Sequence, residues 1–222
     1  DLYHEQNLAA RLAALTPIHW GVSALTFDAG AIKAGQLALM SFRGVLPDGT
    51  PVAIDATSTS RPASRPIAPA FPPSLRSVEV FLALPTLREG VANYASAEVT
   101  AGLQRYKTMG RSVYDLTLAR SERELQFSEP NLVLLFGSEP RDDYTAIKIA
   151  EIVRDETGGF RLNDEYIPPC LSVGASPFVM AGLQDVLSLA VTKRRRLADE
   201  RRTRDGVRIE FNAQDITRYL FL

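Results

Sequence analysis

From residue 21 to residue 167 the chain is written in short apolar runs, broken every few positions by Gly, Pro, Asp or Asn, and this punctuation constrains the fold more than any other feature. Runs of strand length bounded by turn formers read as the strands of an all-β sandwich or barrel. The sharpest turn is Leu46-Pro47-Asp48-Gly49-Thr50, flanked by Val45 and by Val52 and Ile54. Proline presets φ at the first central position, Asp can bond its own backbone and Gly accepts a positive φ, so a hairpin is expected there. A second hairpin is expected to join 144–153 to 160–162 through Asp155-Glu156-Thr157-Gly158-Gly159. Further strands are expected at 22–27, 37–42, 78–84, 113–118 and 132–136.

The texture differs on either side of this region. In 2–15, Leu8, Leu12 and Leu15 fall on one helical face, and Pro17 closes the helix. Residues 57–74 hold Pro62, Pro66, Pro69, Pro72 and Pro73 among Ser and Thr. Proline withholds a ladder donor, so this segment is expected as a long extended loop laid over the domain. After Ile167-Pro168-Pro169, the residues Val179, Leu183, Val186, Ala190 and Leu197 follow heptad-like spacing, interrupted by Lys193 and widened by Leu187 and Val191. That is a long amphipathic helix over about 177–204. Ser176 stands at its N-cap and Pro177 at its first turn. Asp205-Gly206 breaks it, and a second helix is expected near Asn212 with Ile216, Tyr219 and Leu220 on one face. The expected fold is therefore mainly β: a β-sandwich or barrel preceded by a short helix and followed by long amphipathic helices. Its parts are a lead-in over 1–20, a β domain over 21–170 and the opening of a helical domain over 175–222. The first residue is not Met and the last four, Tyr219-Leu-Phe-Leu222, carry no helix stop, so both ends are expected to be cut.

Composition narrows the function classes. A net charge of -1 sets up no global field for nucleic acid or an anionic membrane. No apolar stretch approaches the roughly 18–20 residues that span a bilayer, so no membrane insertion is expected. One cysteine, Cys170, excludes an internal disulfide.

The catalytic inventory is poor. His4 and His19 share no ligand spacing with Cys or a carboxylate, so neither a metal nor another cofactor is expected, and His19 beside Trp20 reads as packing under the first strand. The stretch Gly30-Ala-Ile-Lys-Ala-Gly35-Gln36 has the glycine spacing of a phosphate loop but puts Gln where the lysine is needed. Val173-Gly174-Ala175-Ser176-Pro177 puts proline where a nucleophile elbow needs a backbone N–H. Asp142 and Asp143 follow Glu139-Pro140 and read as a solvated turn. No catalytic residue is assigned. Between 193 and 208 there are eight basic residues, Lys193, Arg194, Arg195, Arg196, Arg201, Arg202, Arg204 and Arg208, against the three acids Asp199, Glu200 and Asp205. A solvated helix end accounts for them better than phosphates or an acidic partner.

Several strings together resemble one family. Leu15-Thr-Pro-Ile-His-Trp20-Gly21-Val, Arg43-Gly44-Val-Leu-Pro47-Asp48-Gly49-Thr50-Pro51, Val80-Phe-Leu-Ala-Leu-Pro85 with Arg88-Glu-Gly90, and Phe160-Arg-Leu-Asn-Asp164-Glu-Tyr166-Ile-Pro-Pro169 with Ala175-Ser176-Pro177 follow in register. Each resembles its counterpart in the TssK family of type VI secretion baseplate subunits. The resemblance implies a cytoplasmic, trimeric structural adaptor and not an enzyme. Its β domain would be similar to the shoulder domain of phage receptor-binding proteins and would dock onto a wedge of TssF, TssG and TssE. A further C-terminal part would reach the membrane complex of TssL and TssM. In that reading Val179, Leu183, Val186 and Ala190 form the trimer interface. The alternative is a surface- or carbohydrate-binding module of phage receptor-binding type, for which Tyr94, Tyr106 and Tyr114 are the candidate groove aromatics.

Overall fold

The computed structural model describes residues 2–15, 18–95, 103–114 and 122–204. Two compact units divide the chain, Asp1–Ser176 and Pro177–Leu222.

The first unit opens on helix α1 (Leu2–Leu15). Strand β1 (Gly21–Phe27) then leads into a single helical turn, α2 (Ala29–Lys33), which the sequence pattern did not announce. Asp28 caps it, accepting a hydrogen bond from the Ala31 N–H at 2.9 Å. Gly35, at φ +82°, ends it and starts β2 (Gln36–Leu37). The hairpin of β3 (Leu39–Val45) and β4 (Pro51–Ile54) follows, closed as its sequence requires. Gly49 sits at φ +85°, the Leu46 N–H donates to Thr50 O at 2.9 Å, and Asp48 Oδ1 accepts from the Thr50 N–H at 3.0 Å. Strand β1 pairs antiparallel with β3, giving a three-stranded sheet in the order β1-β3-β4.

The proline-rich crossing is extended, but not featureless. It contains a short strand β5 (Arg65–Pro66) paired with β2, and a 3-10 turn at Ala68–Ala70. Ile67 and Phe71 on either side of that turn drop into the core at 0% and 1% exposure. The loop is thus a lid fixed by two apolar anchors.

A four-stranded antiparallel sheet forms the opposite wall, in the order β10-β6-β11-β12. Strand β6 covers Ser77–Pro85, β10 Val133–Phe136, β11 Tyr144–Arg154 and β12 Phe160–Leu162. The β11–β12 turn follows its sequence: Asp155 Oδ1 accepts from the Thr157 and Gly159 N–H groups at 2.9 and 2.7 Å, and Gly158 takes φ +84°. In β11 the register slips between Lys148 and Ala150. Ile147 points inward before the slip, Ile149 is buried at it, and Ala150 and Ile152 point inward after it, as a bulge changes which parity faces the core.

The inner faces of the two sheets share one core, with Val22, Phe42 and Ile54 from one and Val80, Leu82, Leu134, Phe136 and Ile152 from the other. Facing sheets joined by a common apolar interior make a β-sandwich. Trp20 packs against its edge. The segment after Pro168 returns along β1: the Val22 N–H donates to Pro169 O at 2.7 Å and the Leu171 N–H to Val22 O at 2.8 Å.

Three strands stand apart from the sandwich. Strand β7 (Tyr94–Ala95) makes a short parallel contact with β8 (Tyr106–Tyr114), which runs antiparallel to β9 (Glu122–Pro130) through nine consecutive pairs without a register shift.

The second unit is described as helix α3 (Pro177–Arg204), 28 residues long. It begins at the predicted proline, after Ser176 in an extended backbone conformation. The helix expected near Asn212, the breaker Asp205-Gly206, Arg208, Pro17 and strand positions 115–118 lie outside what the structure describes, as do the side chains of His4, Leu12 and Leu15.

Candidate interaction surfaces

On α3, a rotation of about 100° per residue puts Val179, Leu183, Val186 and Ala190 within one sector of the helix. Leu183 is 52% exposed, Val186 65% and the flanking Leu187 61%. The basic run starts on the same helix, where Arg196 pairs with Glu200 one turn on at 3.3 Å. An exposed i,i+4 pair contributes a few tenths of a kcal/mol and marks a solvated surface.

In the first unit the β8–β9 ribbon is the surface that the sequence pattern missed. Only 113–118 was expected as a strand, whereas β8 starts at Tyr106 and β9 was not expected at all. The signal was present in Glu122-Arg-Glu-Leu-Gln-Phe-Ser128, where Leu125 and Phe127 alternate with Glu124, Gln126 and Ser128. Four of its seven side chains are charged or amide, which masked a strand open to water on both sides. The registered pairs Met109↔Phe127, Arg111↔Leu125 and Val113↔Arg123 lie on one face. The pairs Thr108↔Ser128, Gly110↔Gln126, Ser112↔Glu124 and Tyr114↔Glu122 lie on the other. Lys107↔Glu129 continues the first face toward the base, so over 109–113 that face is apolar and basic, while its reverse is polar and acidic apart from Tyr114.

The ribbon is held at its base. Arg105, only 4% exposed, donates from Nη1 to Pro85 O at 2.9 Å, and from Nη2 to Asp48 Oδ2 at 2.8 Å and Thr50 Oγ1 at 2.6 Å. The Pro-Asp-Gly-Thr turn therefore supplies the anion and hydroxyl that accept the arginine on which β8 begins. Thr59 Oγ1 donates to the Glu129 carboxylate at 2.7 Å, tying β9 to the proline-rich crossing.

The aromatics of the carbohydrate alternative do not line one groove. Tyr94 stacks on Tyr106 with ring centroids 5.0 Å apart, and Tyr106 is 7% exposed. They flank a shallow hollow of about 480 Å³ with Leu87, Val91 and Asn93. Tyr114 stands at the other end of β8, roughly 27 Å away at strand spacing.

The polar residues singled out in the sequence sit apart from one another. His19 is half-buried beside Trp20; Asp142 and Asp143 form an exposed turn, where Asp143 pairs with Arg88 at 2.7 Å. Lys148 is bound by Glu79 at 2.7 Å and Glu151 at 2.5 Å, under the Tyr166 ring. Burial pulls its pKa down, but the two carboxylates outweigh that and raise it, so the ammonium stays protonated and serves as neither base nor nucleophile. Burial also pushes the Tyr166 phenol up to about 12. Among the described residues, no three His, Cys, Asp or Glu side chains gather where they could hold a metal ion, and no helix is long and apolar enough to cross a membrane.

A sandwich bearing a two-faced ribbon, with a separate helix that exposes leucine and valine, has the surfaces of a protein built into an assembly. Comparison with known proteins defines which. Residues 1–222 match the family described as "Bacterial Type VI secretion, VC_A0110, EvfL, ImpJ, VasE", and the chain belongs to that family. It is 30% identical over 191 residues to the type VI secretion system baseplate component TssK1 of Pseudomonas aeruginosa, covering 85% of this chain and 42% of that protein. Its fold is similar to a crystal structure of TssK, with a TM-score of 0.82 and 24% identity over 99% of this chain and 48% of the other. It is also similar to a chain of the TssK-TssF-TssG baseplate subcomplex solved by cryo-electron microscopy, with a TM-score of 0.73 and 25% identity over 88% of this chain and 63% of that one. The chain spans less than half the length of the curated relative it matches.

Proposed function

We propose that this chain is the wedge-facing part of a TssK-type structural adaptor in the type VI secretion baseplate, working by shape and buried surface and not by catalysis. The observation that carries the proposal is the family match over all 222 residues. It is supported by the relative named as a baseplate component and by the similar fold within a complex with TssF and TssG. In this reading the sandwich unit docks onto TssF and TssG, with TssE in the same wedge. The remainder of the protein connects it, in the cytoplasm, to TssL and TssM.

The α3 stripe of Val179, Leu183, Val186 and Ala190 is the proposed trimer contact. Its exposed leucine and valine each gain roughly 1.5–3 kcal/mol on full burial before ordering costs. Three linked copies then raise the effective concentration at the wedge, so modest individual contacts hold.

Co-purification with TssF and TssG, followed by the mass of the complex, tests the adaptor role; a chain that never co-purifies with them refutes it. Replacing Leu183 and Val186 by Asp is expected to convert the oligomer to monomer in light scattering. An unchanged mass removes α3 from the assembly role.

A further inference from the structure

From Met109 to Val113 the β8–β9 ribbon separates its chemistry by face; Lys107 and Glu129 pair on the same face nearer the base, and Tyr114 lies on the reverse at the far end. Met109, Val113, Leu125 and Phe127 share a face with Arg111 and Arg123, while Glu122 and Glu124 occupy the reverse. Leu125 is 47% exposed and Phe127 42%. A two-stranded ribbon in water gains little from such a face unless something covers it. Arg111 and Arg123 have no carboxylate partner among the described residues; the one acid on this face, Glu129, lies opposite Lys107 and is engaged by Thr59 at the base.

Charge complementarity decides what can cover it. Two copies packed through this same face would set arginine against arginine. Stacking the face on the reverse of a second ribbon would match Arg to Glu but lay four apolar side chains on a face whose middle is Ser, Thr, Gln and Gly, with Tyr114 only at its far end. Neither self-association satisfies both the charge and the apolar area. An anionic lipid surface would attract the two arginines but would also meet Glu122 and Glu124 one strand thickness away. A protein segment with apolar side chains flanked by Asp or Glu satisfies both at once, and Arg beside a hydrophobic cluster suits an interface that becomes dry on docking.

We propose that the Met109/Val113/Leu125/Phe127 face of the ribbon, framed by Arg111 and Arg123, is a docking surface for an acidic, apolar segment of a protein partner. It rests on the adaptor reading above for its probe, the co-expressed TssF–TssG pair. Binding of the full chain to that pair is measured by biolayer interferometry over a salt series. Two double variants alter the face, Leu125→Ser with Phe127→Ser and Arg111→Glu with Arg123→Glu. Glu122→Lys with Glu124→Lys alters the reverse. Both face variants are expected to weaken binding about tenfold or more, the arginine pair most at low salt, while the reverse-face variant stays within about twofold.

The arginine variant keeps every apolar side chain, so it stands even if the Leu125/Phe127 variant loosens the ribbon. Equal affinity for all variants overturns the proposal while leaving the adaptor reading intact, whereas no binding by the unaltered chain removes both. A face variant that lowers the oligomer mass, or co-sedimentation of the unaltered chain with vesicles of phosphatidylserine and phosphatidylcholine, assigns the face to another occupant and also overturns it.

Discussion

Neutralising Asp48 should cost more than removing the arginine it serves. The Arg105 side chain is 5% exposed and that of Asp48 30%, so the cation depends on the protein for compensation while the anion still reaches water. Asp48→Asn keeps an amide oxygen for the Thr50 N–H, and so preserves the turn, but among the described residues it leaves Arg105 with the neutral acceptors Pro85 O, Thr50 Oγ1 and the Tyr106 hydroxyl. Stranding a buried charge costs about 3–5 kcal/mol, and the partial solvation of Asp48 lowers this to about 2–3 kcal/mol. Arg105→Met abolishes the charge, fills the site with an apolar chain and lets Asp48 turn to solvent, for about 1 kcal/mol. The double variant should then cost less than the sum of the two. The assay is urea unfolding followed by Trp20, the chain's one tryptophan, which packs against the core. Hydrogen exchange should report faster opening of β8 in Asp48→Asn, because Arg105 anchors that strand. If Arg105→Met proves costlier than Asp48→Asn, the hydrogen bonds and not the charge hold the site, and this reasoning fails.

Other expectations follow from close packing and from titration. A Cβ on Gly44 would run into the Gly21 carbonyl and the Phe42 ring, so Gly44→Ala should destabilise by about 2 kcal/mol. Calorimetry should show Tm falling roughly 4–8 °C, and an unchanged Tm would show that β1 and β3 can part at this point. Arg65 grips Glu139 through both guanidinium nitrogens at 2.6 and 2.8 Å, and this bond holds the carboxyl below its ordinary 4.5 against the opposing effect of burial. A lowered carboxylate pKa contributes stability that is complete above the unfolded value and is lost as pH falls through the folded one. The stability gap between the protein and Glu139→Gln, about 0.5–1 kcal/mol for a pair still one-third exposed, should therefore be constant above pH 6 and close between pH 5 and 3. A pH-independent gap would locate the effect in packing.

Local chemistry made much of the sandwich legible in advance. The Pro-Asp-Gly-Thr and Asp-Glu-Thr-Gly-Gly turns need no tertiary help, because proline, a side-chain acceptor and a positive-φ glycine stand at fixed offsets. Both hairpins form where those residues place them. The proline-rich crossing was readable as irregular, yet the descent of Ile67 and Phe71 into the core was not, since an extended chain carries no period that says which side chain turns inward. The ribbon escaped notice because open strands owe their pairing to registry with a distant neighbour.

The order of residues by itself determined the fold class, the turns, the start of α3 and the family, because these depend on near neighbours and on motifs in register. Only the tertiary structure decided that Asp48 of the first hairpin neutralises Arg105 at the root of β8, and that arginine and apolar side chains gather on one face of the ribbon with Glu122 and Glu124 behind. Those pairings join residues 57 apart in the first case and strands without a strong local signal in the second. Burial and long-range registry, not propensity, select them.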